Sequence, residues 1–291
     1  MTIINKIHWS SWYNNIRGNN WPNCDSEADL NKLPKSIKKE LFEKFYYIPD
    51  NHSLRVFNTG GFLPTDVYYT LDLDAGGSSF GQEFIDIIKN QYPDRMFNRC
   101  YEWCAGCGFI GFSILAHGLC NSLCLSDMHN NSMEMLQKTI TINNFNKNKV
   151  ATYQFEDLVL LPKNEMFDLI VAMPPWYNIP ISNNNYNANR IATDLNWNAH
   201  KNFFKHIKNH LTTNGIILLQ ENIVGSTVDD FHMFINDAGL NITNQFISNI
   251  AVSSSYLDSL SERAALLGKD SVVNNINSGI YYIEIKHKLF D

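Results

Sequence analysis

The sequence predicts an α/β fold in which a mostly parallel sheet is covered by helices, with a smaller region of mixed α and β character ahead of it. Three observations carry this. After residue 98, short apolar runs alternate with segments of helical period, as a parallel sheet requires, because parallel neighbours must be joined by a crossover. Four successive runs end in polar or ring-bearing residues: Glu102, Ser126-Asp127, Glu156-Asp157, and Met173-Pro174-Pro175-Trp176-Tyr177. The first of these runs passes straight into glycines at the point where a helix must begin.

Organisation divides near residue 97, giving an N-terminal substrate or lid region (1–97) and a larger domain (98–291). The first region holds a Trp-rich start (Trp9, Trp12, Trp21), a helix-like segment from Pro34 to Tyr47 and a strand-like Leu54 to Phe57. The segment Val67 to Leu73 follows, then Ala75-Gly-Gly-Ser-Ser-Phe-Gly and a helix from about Gln82 to Asn90. Ser78, Ser79 and Phe80 either line a pocket, with Gly76, Gly77 and Gly81 allowing close approach, or form a loop that caps the next helix.

In the second region, strand Cys100 to Cys104 leads into helix Phe109 to Leu115, and strand Ser122 to Leu125 into helix Asn130 to Asn143. Strands follow at Val150 to Phe155, Phe167 to Ala172 and Gly215 to Gln220, the last ending in Glu221-Asn222. Between the last two, Lys201 to Lys208 has its apolar residues at helical spacing and is expected to cover the sheet. Ser226 to Ala238 reads as a helix with a plausible cap and Gly239 as its stop. Ile242 to Val252 and Ile280 to Leu289 complete the sheet. The long connection 253–277, with a helix-like Tyr256 to Leu267, suits a lid or a contact in a homodimer. The Asn-rich Ser182 to Asn189 is a second candidate lid.

At the first glycine corner, Gly106 and Gly108 remove side chains that would keep a ligand off the backbone, and the amides of the next helix face the same space. Gly106, Gly108 and Gly111 match G-x-G-x-x-G, yet Glu102 ahead of them would repel a phosphate and suits a cation. Asp127, about twenty residues on, stands where a carboxylate can hold ribose hydroxyls. These residues make the chain resemble the S-adenosylmethionine-dependent methyltransferases with a Rossmann-like, seven-stranded sheet, mostly parallel with the last strand antiparallel. More narrowly, it resembles the branch that methylates amide or exocyclic nitrogen, typified by release-factor glutamine methyltransferases.

The resemblance covers residues 98 to about 250 and the closing strand. It implies S-adenosylmethionine as cofactor and assigns Glu102, Ala105, Gly106 and Gly108 to the cofactor loop. Asp127, with Met128 beside it, takes the ribose position and Asp157 a place beside the adenine. Pro174, Pro175 and Trp176 match the last three positions of that branch's Asn-Pro-Pro-aromatic signature, and Met173 replaces the Asn. In the resembling enzymes that Asn and a proline carbonyl accept hydrogen bonds from the target NH₂ while the aromatic stacks on the acceptor. Methionine offers only a weakly accepting thioether. The main-chain carbonyls of Met173 and Pro174 remain, Trp176 and Tyr177 can shape the acceptor side, and Asn178, Asn222 and His129 are candidate replacement polar groups. The expected reaction is in-line methyl transfer to nitrogen of a small molecule or a peptide side chain, without metal.

Other readings stay open. The glycines can serve a tight turn alone, Asp127 can cap a helix, and Pro174-Pro175 with two aromatics can be ordinary loop and packing. Cys100, Cys104 and Cys107 have the C-x₃-C-x₂-C spacing that holds an iron–sulfur cluster in radical enzymes, although two of them fall in the strand. Altered residue 173 also admits use of the aminocarboxypropyl group of the donor, by transfer or internal cyclisation. A nucleic-acid amino-methyltransferase is the third alternative.

The chain has 291 residues, 13% aromatic and 44% hydrophobic, enough for a substantial core. Formal charge is −6, so no global positive field recruits nucleic acid, which argues against it as a partner. Six cysteines in so long a chain do not make a disulfide framework, and no apolar run is of membrane-spanning length. The expectation is a cytoplasmic biosynthetic transferase with no membrane partner.

Overall fold

A computed structural model of the chain describes residues 54–70, 73, 77–155, 158–178, 194–248 and 278–288, with single positions at 250, 252, 257, 261 and 264. The Trp-rich start, the 34–47 segment, Gly76, Asp157, the Asn-rich stretch and nearly all of 253–277 lie outside these residues.

A hairpin of β1 (Arg55–Asn58) and β2 (Asp66–Tyr69) comes first, followed by helix α1 (Gly77–Gln91). Then strands and helices alternate: β3 (Phe97–Trp103), α2 (Phe109–Ala116), β4 (Cys120–Asp127), α3 (Asn130–Ile142), β5 (Val150–Gln154) and β6 (Phe167–Ala172). Helix α4 (Asn198–Ile207), β7 (Leu211–Asn222), α5 (Val228–Asp237), β8 (Leu240–Ile247) and β9 (Ile280–His287) complete the chain. The sheet order is β5-β4-β3-β6-β7-β9-β8. Strands β3 to β7 pair in parallel, and β9 lies between β7 and β8, antiparallel to both. This is the Rossmann-like seven-stranded sheet that the sequence predicts. The order turns back between β3 and β6, so a crevice opens at their carboxyl ends, the place where ligands enter open α/β sheets.

The strand residues near that edge are buried, and polarity is confined to Glu102, Ser126 and Asp127 on β3 and β4, the rest being apolar on both faces as parallel strands under helices must be. One apolar layer packs under α1 and α2 and includes Phe84, Ile88, Phe112, Leu125, Val171 and Leu218. The other lies under α4 and α5, where His200, Phe203, Phe204 and Ile207 recur at i, i+3, i+4 and i+7. All eight residues of α2 are buried, because α1 crosses it closely. A Cβ added to Gly77 would lie 2.8 Å from the Phe109 ring, and one on Gly81 3.0 Å from Ile110.

The hairpin is tied down by packing and by side-chain bonds to its main chain: Val67 is fully buried, and Phe57 and Tyr69 meet the Phe109 ring edge-on. The Asn143 side chain accepts from Asp66 N–H and donates to its carbonyl, and Thr139 Oγ1 accepts from Tyr68 N–H at 2.9 Å.

Several element boundaries differ from the sequence reading. Helix α1 begins at Gly77, so Ser78, Ser79 and Phe80 are helical rather than a pocket-lining loop; Phe80 is buried, and Gly77 and Gly81 admit α2 rather than a ligand. Strand β4 extends to Asp127 and β7 to Asn222, so the acids sit on the strands' last residues rather than after them. Thr227, not Ser226, caps α5, in a reciprocal box with Asp230.

Candidate functional site

The glycine corner is built by three strand-end groups. Cys104 (φ 55) and Gly106 (φ 53) are left-handed, and Gly108 (φ 82) starts α2 in the same region. At Gly106 an added Cβ would come within 4 Å of one heavy atom among the described residues, the Leu73 carbonyl oxygen at 3.8 Å, an ordinary contact. Asp127 closes the turn: its Oδ2 accepts from Gly106 N–H at 2.8 Å and its Oδ1 from His129 N–H at 2.9 Å. Residue 129, not Asp127, occupies the cap position of α3. Each Asp127 oxygen keeps a further lone pair for a hydroxyl. Met128 beside it is 36% exposed and apolar.

Glu102 is buried behind the turn. Its Oε2 accepts from Gly111 N–H at 2.7 Å, an approach possible only because Gly111 lacks a Cβ, which would stand 2.6 Å from that oxygen. Burial pushes the carboxyl up to about 8, against the lowering by the amides of Gly111 and Ile110, and nearby Asp127 adds to the rise. A cation placed at the corner would favour the ionised form. The turn with no side chain in the way, the ribose-type acid and the buried carboxyl fit the donor set that S-adenosylmethionine needs.

The segment after β6 is more enclosed than the sequence reading holds. Trp176 is 8% exposed, and its Nε1–H donates to the Gln220 carbonyl at 3.1 Å, so the ring is core rather than a stacking platform. Tyr177 and Pro174 are also buried, and Met173 packs half-buried against the same core. Gly225 is needed here, because a Cβ would stand 2.2 Å from the Trp176 carbonyl. The candidate replacement groups hold the loops: Asn222 Oδ1 accepts from Val224 N–H, Asn178 Oδ1 accepts from Asn196 N–H, and His129 N–H is bound to Asp127. Next to Trp176, Gln220 Nε2 donates to the Tyr282 hydroxyl, which donates to Glu83, while buried Gln220 Oε1 has no donor among the described residues.

A constellation absent from the sequence reading lies across the sheet from Gln220. His200, fully buried on α4, has Nδ1 2.7 Å from Asp194 Oδ2 and Nε2 3.0 Å from Glu221 Oε1. Its ring stacks on Phe231, with Trp103 and Trp197 edge-on. Burial opposes the charged ring, but Glu221 and Asp194 outweigh it and raise its pKa to about 9. Asp194 falls below its ordinary value despite burial, through His200 and the amides of Ala199 and His200. Glu221 is raised by burial, against the lowering by His200 and by the Ser226 hydroxyl, which donates to its Oε2 at 2.8 Å. The imidazole is therefore an imidazolium at neutral pH, held between two acids. Only the His-x₂-Phe-Phe helical spacing marks position 200 in the sequence, and it points to burial, not to charge.

The three cysteines of the cluster-like spacing do not converge. Cys100 is in the core beside Cys120, where burial and that thiol push its pKa well up, and Cys107 is buried under α2. Among the described residues no three of His, Cys, Asp or Glu gather as metal ligands. No described helix is long and apolar enough to cross a membrane.

No family model matches the chain, and no curated protein does. Solved structures of like fold include a S-adenosylmethionine-dependent methyltransferase from Clostridium acetobutylicum, at 11% identity and a TM-score of 0.49, covering 74% of this chain and 93% of that one. A ribosomal protein L11 methylase from Lactobacillus delbrueckii matches at 13% identity and 0.44, over 72% and 79%. A tRNA methyltransferase from B. subtilis matches at 8% and 0.43, over 68% and 62%. At this level nothing of activity or acceptor passes to this chain. The expectation against nucleic acid as a partner is nevertheless corrected: a chain of this fold is titled a tRNA methyltransferase, and a net charge of −6 averages over the whole surface rather than describing one edge.

Proposed function

We propose that this chain is a S-adenosylmethionine-dependent methyltransferase directed at nitrogen. The observation that carries the reading is the bond from Gly106 N–H to Asp127, which sets an acid able to bind hydroxyls against the glycine turn at the β3–β4 edge, next to the point where the sheet order turns back. The donor, when bound, supplies a methyl group already activated on a sulfonium, so the chain's work is binding, alignment and exclusion of water. In this reading Asp127 holds the ribose hydroxyls, and Ala105, Gly106 and Gly108 present backbone. Glu102 balances the ammonium, and Met128 covers an apolar face. Asp157, outside the described residues, keeps its proposed place beside the adenine, and Phe80 supports the corner from the core side.

Nitrogen as the target is favoured by Gln220. The branch that the sequence resembles uses an Asn carboxamide oxygen where this chain has Met173. Gln220, near the end of the neighbouring strand, carries a buried carboxamide oxygen with no donor among the described residues, and its main-chain carbonyl accepts from Trp176. An unsatisfied buried acceptor costs about 1–3 kcal/mol, and a ligand N–H would remove that cost. Trp176, Tyr177, Pro174 and Met173 form the wall of the acceptor side by packing. The acceptor proposed is an amine or amide nitrogen, on a small molecule, a peptide side chain or a nucleic-acid base.

Incubation of the protein with methyl-labelled donor and a desalted cell extract tests this, with label followed into small-molecule, protein and RNA fractions. Methyl transfer yields S-adenosylhomocysteine; methylthioadenosine as the by-product would replace the reading by aminocarboxypropyl chemistry, and the fraction that gains label identifies the acceptor class.

A further inference from the structure

The buried imidazole stands where three connections meet. The segment after β6 reaches it through Asp194, whose N–H donates to the Tyr177 carbonyl at 2.9 Å, and through Asn178, whose side chain accepts from Asn196 N–H at 2.7 Å. The start of α4 reaches it because Asp194 also accepts from the amides of Ala199 and His200. The turn after β7 reaches it through Glu221, with the Ser226 hydroxyl on its second oxygen. That turn lies against the Trp176 carbonyl at Gly225.

Two consecutive left-handed residues, Asn196 (φ 55) and Trp197 (φ 55), precede the helix. Such backbone costs about 1–3 kcal/mol per residue and persists only where its surroundings hold it. The groups that face His200 are acids, Asp194 on one side and Glu221 on the other, with the Cys104 thiol at the end of β3 feeling both. Behind Glu221, the Tyr281 hydroxyl of β9 lies 3.4 Å from Ser226 Oγ.

We infer that His200 is a positioning residue for the acceptor side: by drawing Asp194 and Glu221 together it fixes the Pro174–Asn178 segment against the 222–226 turn. Fully buried, it touches no ligand and acts through those two segments. Neither acid would hold this geometry without the ring, since two buried carboxylates facing one gap repel and one must take up a proton. The assignment to the acceptor side rests on the methyl-transfer reading.

The test is His200→Gln, with Glu221→Gln as the milder second variant in case the first does not fold. Hydrogen exchange on wild type and variant needs no acceptor. At least tenfold faster exchange at Tyr177, Asn178 and residues 222–226, with the amides of Gly106 and Gly111 unchanged, supports the inference. Uniform acceleration, or none, overturns it. Calorimetry with S-adenosylhomocysteine should show an affinity within threefold of wild type, while labelled transfer into extract falls at least tenfold. Transfer within twofold of wild type, or affinity and transfer falling together, would also overturn it. If wild type fails to bind S-adenosylhomocysteine, it is the methyl-transfer reading that fails, and the exchange pattern still decides whether His200 holds the two segments.

Discussion

The two halves of the sheet's carboxyl edge are organised on different physical principles. On the β3–β4 side the site is made from backbone: three left-handed positions, and two carboxyls that accept the amides of Gly106 and Gly111. On the β6–β7 side it is made from side chains of three different segments that converge on one charged ring, and the aromatics that look like contact residues are structural. A corner of the first kind can leave open space for a ligand, because backbone fills little of it. The second kind trades openness for rigidity, and its weak point is a single ionisable group.

The contrast can be broken most sharply at that group. His200→Phe keeps the ring and its stacking but leaves Asp194 and Glu221 buried without their cation, and should cost about 3–5 kcal/mol in denaturant unfolding. Next, Gly225→Ala forces a methyl against the Trp176 carbonyl and should cost about 1–3 kcal/mol, whereas Gly106→Ala makes only an ordinary contact with the Leu73 carbonyl among the described residues and suffers from its left-handed backbone. Asp127→Ala should weaken S-adenosylhomocysteine binding at least tenfold in calorimetry, about 1.4 kcal/mol, with little change in the exchange rates of Tyr177 or Ser226. Trp176→Phe leaves the Gln220 carbonyl without its indole donor and should lower stability by about 1 kcal/mol, with donor affinity retained.

Acidity separates the two sides as well. His200 has a raised pKa in the fold, so its stabilisation is complete below its unfolded value near 6.5 and is lost as pH rises through about 9. Glu102 is also raised, from 4.5 to about 8, so its burial is harmless below about 4.5 and increasingly costly as pH rises through 8. Both slopes have the same sign, and the variants tell them apart. Thermal melting between pH 6 and 10 should flatten in part for Glu102→Gln below about pH 8 and for His200→Gln between about 6.5 and 9.

The sequence makes the sheet and the glycine corner legible because their signals are local. Strand periodicity, a positive-φ turn and an acid one crossover later need no tertiary knowledge, and Glu102, Gly106 and Asp127 stand together as that local reading requires. The acceptor side is not legible in this way. Trp176 reads as a stacking group because its neighbours in sequence are prolines, and only the folded chain shows Gln220 receiving its N–H. Ser78 and Ser79 look like loop because glycines flank them, yet those glycines serve the crossing of α1 over α2. His200 and Glu221 are 21 residues apart, the same separation as Gly106 and Asp127, but no glycine turn or strand-end motif marks the pair.

Isothermal titration of the folded wild-type protein with S-adenosylhomocysteine, repeated on Asp127→Ala, decides whether the glycine corner is a donor site. One saturable site with micromolar affinity, about −8 kcal/mol, weakened at least tenfold by the substitution, is the expected result. No heat of binding from well-folded protein, or binding indifferent to Asp127, would contradict the assignment of the β3–β4 edge to S-adenosylmethionine.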